Sequence, residues 1–80
     1  MDDLDIVHRT TSLTDEEHTL ERSHIGEPLP ESELARMRAI EVALDQCWDL
    51  LRQRRARRDA GEDPDEARAR PEGVVEGYQQ

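Results

Sequence analysis

The sequence predicts an all-α protein: an antiparallel, coiled-coil-like helical hairpin followed by a short C-terminal helix and tail. Apolar side chains recur at helical spacing over residues 31–60, and a weaker seven-residue repeat runs through residues 3–24. A connector rich in Gly and Pro separates the two segments. We therefore expect residues 1–60 to form the hairpin and residues 61–80 to form a short helix with a partly flexible tail.

The first helix is expected to span about residues 3–24. Every seventh residue from Ile6 to Leu20 is apolar, which places these side chains on one face. The other positions on that face are polar, so the helix offers only a narrow apolar surface for packing. Thr14 and Glu17 also match a capping box, so the pattern leaves open a kink or a restart of the helix near Thr14.

The second helix is expected over residues 31–60, with Pro30 in its first turn and Gly61 as its stop. Its apolar side chains form two overlapping seams, which we predict to be its core or interface: Leu34, Met37, Ile40, Leu44, Cys47, Trp48 and Leu51. Two seams make a stripe wider than one thin neighbouring helix covers. We therefore expect two hairpins to pair as a dimeric four-helix bundle, with Trp48 and Leu51 facing the first helix.

The charge pattern agrees with an antiparallel hairpin. Residues 1–30 carry two arginines against eight acidic residues, and a basic cluster lies at the end of the second helix: Arg52, Arg54, Arg55, Arg57 and Arg58. A short connector places the acidic start, with Asp2, Asp3 and Asp5, beside this cluster. We favour intramolecular pairing over an external phosphate partner, because the arginines point in several directions and no aromatic residues lie among them.

The last twenty residues read as a tail. Asp63 followed by Pro64 is typical of a helix start, and Pro71 ends that helix after about two turns. Three apolar side chains beyond it are expected either to fold back on the hairpin or to remain mobile: Val74, Val75 and Tyr78.

Composition narrows the class of protein. The formal net charge of −9 argues against general nucleic-acid binding and against attraction to anionic membranes. The acidic start does not resemble a signal peptide, and no apolar run approaches the roughly 20 residues that span a bilayer. The single cysteine, Cys47, fits a reducing compartment and a packing role. We expect a cytoplasmic protein.

One constellation suggests metal chemistry. Glu21 and His24 have the spacing that carboxylate-bridged metal bundles use, and Glu17 and Glu41 lie on the helical seams. Against this interpretation, His24 lies at a helix end rather than in mid-bundle. We predict no enzyme activity, no cofactor and no metal, and keep Glu17, Glu21, His24 and Glu41 as the alternative, a metal- or small-ligand-binding bundle.

Residues 41–56, EVALDQCWDLLRQRRA, together with the GEDPDEA stretch at residues 61–67 and the closing VEGY at residues 75–78, carry a family resemblance. They resemble a family of short, uncharacterised actinobacterial proteins that share a domain of unknown function. The resemblance covers nearly the whole chain. It implies a soluble helical protein from a GC-rich bacterium and implies no activity.

Taken together, the sequence predicts a small non-catalytic interaction module. Its partner is expected to be a second copy of the chain or another cytoplasmic protein, bound through the helical faces and the tail.

Overall fold

The computed structural model describes residues 1–71 and confirms the helical hairpin. Helix α1 spans Asp3–Ser23 and helix α2 spans Glu31–Asp59, and a single 3₁₀ turn follows at Pro64–Glu66. Within these residues the chain contains no strand. The prediction for Val74, Val75 and Tyr78 concerns positions outside the described residues.

Helix α1 is continuous through the threonine-rich stretch, so the restart near Thr14 does not occur. Asp2 caps the helix and forms a reciprocal capping box with Asp5. The hydroxyl of Thr10 donates to the Ile6 carbonyl (3.0 Å), so this buried side chain is satisfied within the helix. Polar residues on this face therefore lower the local helix propensity without breaking the helix.

Pro30 immediately precedes helix α2, and its carbonyl accepts hydrogen bonds from the backbone N–H groups of Glu33 and Leu34, both at 3.0 Å. Helix α2 ends just before Gly61, which adopts a φ of +74°. Glycine adopts this left-handed conformation readily, whereas residues that carry a Cβ atom rarely do. The Gly61 N–H returns to the Arg58 carbonyl at 3.1 Å, which closes the last turn. The chain then reverses towards α2.

A small core joins the two helices. Among residues 1–71, its buried members are Ile6 and Leu13 from α1 and Ile40 and Cys47 from α2. Five partly buried side chains pack against them: Leu20, Ala43, Leu44, Leu50 and Leu51. So few enclosed residues make a modest core, as expected for so short a chain.

Trp48 lies outside this core, contrary to the expectation that it would face α1. Its side chain is 48% exposed, whereas Ile40 is fully buried. The core of α2 follows the seven-residue repeat from Ile40 through Cys47 to Arg54. Each residue turns the helix by about 100°, so position 48 points away when position 47 faces α1.

The C-terminal segment is extended where a two-turn helix was predicted. After the 3₁₀ turn, Ala67 has φ −63° and ψ 144°. The carbonyls of Arg68 and Arg70 accept hydrogen bonds from side chains of α2 instead of from their own backbone. Pro71 also disfavours helical geometry at the residue before it. We call residues 62–71 the strap.

Candidate interaction surfaces

The first surface is a row of apolar side chains on α2 that α1 covers only in part. We call it the apolar face; it consists of Leu34, Met37, Leu44, Trp48 and Leu51. Leu34 and Trp48 are exposed by 40% and 48%, and the other three are partly buried. Adjacent exposed apolar groups of this size mark interaction sites more often than single exposed residues do.

The second surface lies under the strap and centres on a buried carboxylate. Asp49 is fully buried. The guanidinium of Arg70 donates two hydrogen bonds to its carboxylate, one from Nε at 2.9 Å and one from Nη2. Gln53 Nε2 donates to the same carboxylate at 2.9 Å. The hydrogen bond from Arg70 lowers the pKa of Asp49, against the opposing effect of burial, so the charged form is favoured in place.

Two glutamine side chains of α2 bind the backbone of the strap. Gln53 Nε2 donates to the Arg68 carbonyl at 2.7 Å, and Gln46 Nε2 lies 3.4 Å from the Arg70 carbonyl. Together with Asp49, these side chains hold the strap through its main chain and through one arginine. We call Gln46, Asp49 and Gln53 the strap groove.

Arg54 joins the start of the chain to the strap. It is 6% exposed, and its Nε donates to Asp3 Oδ1 at 2.5 Å. Its Nη1 donates to the Pro64 carbonyl at 3.2 Å and to Asp65 Oδ1 at 2.9 Å. Arg58 Nη2 reaches the second oxygen of Asp3 at 2.7 Å. The hydrogen bonds from Arg58 and Arg54 lower the pKa of Asp3 from 3.8 to about 2.

Much of the predicted basic patch is therefore engaged within the chain. Arg57 lies 3.6 Å from Glu66 and 3.7 Å from Glu62, in addition to the contacts of Arg54 and Arg58 with Asp3. Arg52 and Arg55 are exposed. This arrangement supports the intramolecular pairing expected from the charge pattern, although only Asp3 of the first acidic residues takes part, because Asp2 and Asp5 cap α1.

The candidate metal ligands do not converge. His24 Nε2 lies 2.5 Å from Glu33 Oε2 across the connector, while Glu21 and Glu41 are exposed and Glu17 is partly buried. Within residues 1–71, no three His, Cys, Asp or Glu side chains lie close enough to hold a metal ion.

A small apolar hollow of about 140 Å³ lies between the helices and the strap. Ile6, Cys47 and Leu50 form its helical walls, and Ala69 of the strap borders it. Cys47 is 7% exposed there. The strap therefore borders the cavity that contains the single thiol of the chain.

The strap groove is difficult to predict from the sequence. Ile40, Cys47 and Arg54 are spaced by seven residues, so the sequence repeat does indicate that Arg54 is buried. Asp49 lies on the opposite side of α2, where a charged residue normally faces solvent. Its burial depends on Arg70, 21 residues later, which no local periodicity reveals.

These features define a small two-helix protein whose C-terminal strap is bound by polar side chains. The chain belongs to the family described as "Protein of unknown function (DUF2630)", whose model matches residues 2–80. It is 63% identical over 46 residues to uncharacterized proteins of Mycobacterium tuberculosis and Mycobacterium bovis, a match that covers 58% of this chain and 53% of each relative. The chain thus spans about half the length of the curated relatives it matches.

No solved structure matches the chain. Neither helix within residues 1–71 combines the length and the apolar character needed to cross a membrane.

Proposed function

We propose that this protein is a non-catalytic helical interaction module that associates with a second copy through its apolar face. The observation that carries the proposal is the 48% exposure of Trp48, towards the C-terminal end of that face. Tryptophan is enriched among the residues that dominate binding energy at protein interfaces. Pairing two such faces would cover the part of the seam that α1 leaves open and would complete a four-helix bundle.

The charges beside Trp48 support a second copy over a different cytoplasmic protein. Glu41 and Arg55 are both exposed, and each lies seven residues from Trp48 on the same side of α2. An antiparallel two-fold pairing of α2 centred on Trp48 places Glu41 of one copy opposite the partner's Arg55, and the reverse by symmetry. One chain thus carries both halves of a self-complementary charge pair.

The alternative, a metal- or small-ligand-binding bundle, has less support. It requires Glu17, Glu21, His24 and Glu41 to face a common centre. His24 instead contacts Glu33, and Glu21 and Glu41 are exposed.

Sedimentation equilibrium of a Trp48→Ala variant tests the proposal. We expect the variant to shift strongly towards monomer, while its helical circular dichroism stays close to that of the parent because Trp48 contributes little to the monomer core. Ile25→Ala is the matched control, since Ile25 is 79% exposed in the connector, away from the apolar face. Equal association of the two variants would contradict the proposal.

A further inference from the structure

The contacts of the strap have the form of peptide recognition. The strap groove binds two main-chain carbonyls, those of residues 68 and 70, and one arginine side chain through a buried carboxylate. Hydrogen bonds to main-chain carbonyls recognise an extended peptide whatever its side chains are. The paired hydrogen bonds between Asp49 and Arg70 add a specific requirement for arginine.

The strap lies outside the core of the hairpin. Within residues 1–71 the buried core consists of α1 and α2 residues, and Ala67, the one buried apolar side chain of the strap, is not part of it. Arg70 retains 34% exposure of its side chain, so water reaches the outer side of the contact. Withdrawal of the strap would open Asp49 to solvent, where a carboxylate is well hydrated.

We propose that the strap groove of Gln46, Asp49 and Gln53 is a recognition site for an extended, arginine-bearing peptide segment. Residues 68–70 occupy this site as a ligand within the same chain. A segment of the same chemistry from a partner protein displaces them and covers the hollow beside Cys47 in their place. This site is separate from the apolar face and does not depend on self-association.

The single thiol provides a direct reporter. Cys47 borders the hollow next to Ala69, so its rate of reaction with a maleimide should follow the opening of the strap. In the full chain, Arg70→Gln should raise this rate by about ten- to a hundredfold, the factor expected from losing charge-assisted hydrogen bonds. Arg68→Gln is the matched control, because within residues 1–71 the Arg68 guanidinium donates to the strap carbonyls of Asp65 and Ala67 and not to α2.

A synthetic peptide of residues 63–71 then tests recognition. Added to the Arg70→Gln chain, it should restore slow labelling of Cys47, whereas the same peptide with Gln in place of Arg70 should not. Binding of a fluorescently labelled peptide to the parent chain, followed by anisotropy, should be weak until the concentration of the binding partner approaches about 1 mM, the effective concentration typical of a short tether. An added Asp49→Asn substitution in the Arg70→Gln chain should abolish protection.

Three results would overturn the proposal. The first is equal labelling of the Arg70→Gln and Arg68→Gln chains, and the second is equal protection, or none, by the two peptides. The third is loss of helical circular dichroism in the Arg70→Gln chain, which would show that the strap is part of the fold rather than a bound ligand.

Discussion

Asp3 and Arg54 are in direct contact although 51 residues separate them, with Arg54 Nε 2.5 Å from Asp3 Oδ1. This contact joins the first turn of α1 to the last third of α2 and thereby fixes the antiparallel register. The same guanidinium holds the strap through Asp65, so one arginine connects all three parts of the chain.

The carboxylate of Asp3 predicts a specific acid sensitivity. Because Arg58 and Arg54 lower its pKa from 3.8 to about 2, the folded state favours the charged form. The stabilisation is present above about pH 4 and is lost as the pH falls towards 2. Asp3→Asn should therefore flatten the dependence of Tm on pH in this window, measured by circular dichroism. The control Asp15→Asn removes an exposed carboxylate of α1, and an equal flattening in it would contradict this role of Asp3.

Arg54 should matter more than its neighbour in the basic cluster. Arg54→Ala removes hydrogen bonds to Asp3, Pro64 and Asp65, and we expect Tm to fall by at least about 4–8 °C for a domain of this size. Arg55→Ala removes an exposed arginine one position further along and, measured at a concentration at which the chain is monomeric, should change Tm little. Equal Tm values for the two variants would show that the buried contacts of Arg54 do not stabilise the fold.

The core residue Ile40 tests the packing of the two helices. Ile40 is fully buried, so Ile40→Val should lower the free energy of unfolding by about 0.5–1.5 kcal/mol and Ile40→Ala by about 2–5 kcal/mol. Urea unfolding followed by circular dichroism measures both. An effect of Ile40→Ala no larger than that of Ile25→Ala, at a 79% exposed position outside the apolar face, would place the core elsewhere.

The proposed register of the dimer can be tested by exchanging charges. Glu41→Arg and Arg55→Glu should each place like charges opposite each other twice in the symmetric pair. An exposed ion pair contributes about 0.2–1 kcal/mol, and the symmetric dimer contains this pair twice. Each single variant should therefore raise the dimer Kd by about two- to thirtyfold. The double variant restores the opposite charges and the parent net charge, so its Kd should return towards the parent value. A double variant weaker than both single variants would exclude this register.

The hairpin was predictable because its determinants are local. Apolar periodicity, Gly61 and the connector define two helices, and the acidic start and basic end define their relative direction. These grounds placed Asp2, Asp3 and Asp5 near the arginine cluster, and in the structure Asp3 makes the contact, with Arg54 and Arg58. Continuity of α1 was not decided by its sequence pattern, because the Thr14 capping signal competed with the helix.

The strap was not predictable, because it depends on contacts between distant positions. Asp63 and Pro64 signal a helix start correctly, but hydrogen bonds from Gln46 and Gln53 then favour an extended backbone over further helical turns. The position of Trp48 was also misjudged. Two seams were visible in α2, and the narrow face of α1 covers only one of them.

The molar mass of the full chain in solution, measured by light scattering at micromolar concentration, tests the proposed self-association most directly. We predict a helical species of about twice the chain mass of 9.3 kDa, which dissociates when Trp48 is replaced by Ala. A well-folded monomer of 9.3 kDa under these conditions would contradict the proposed self-association.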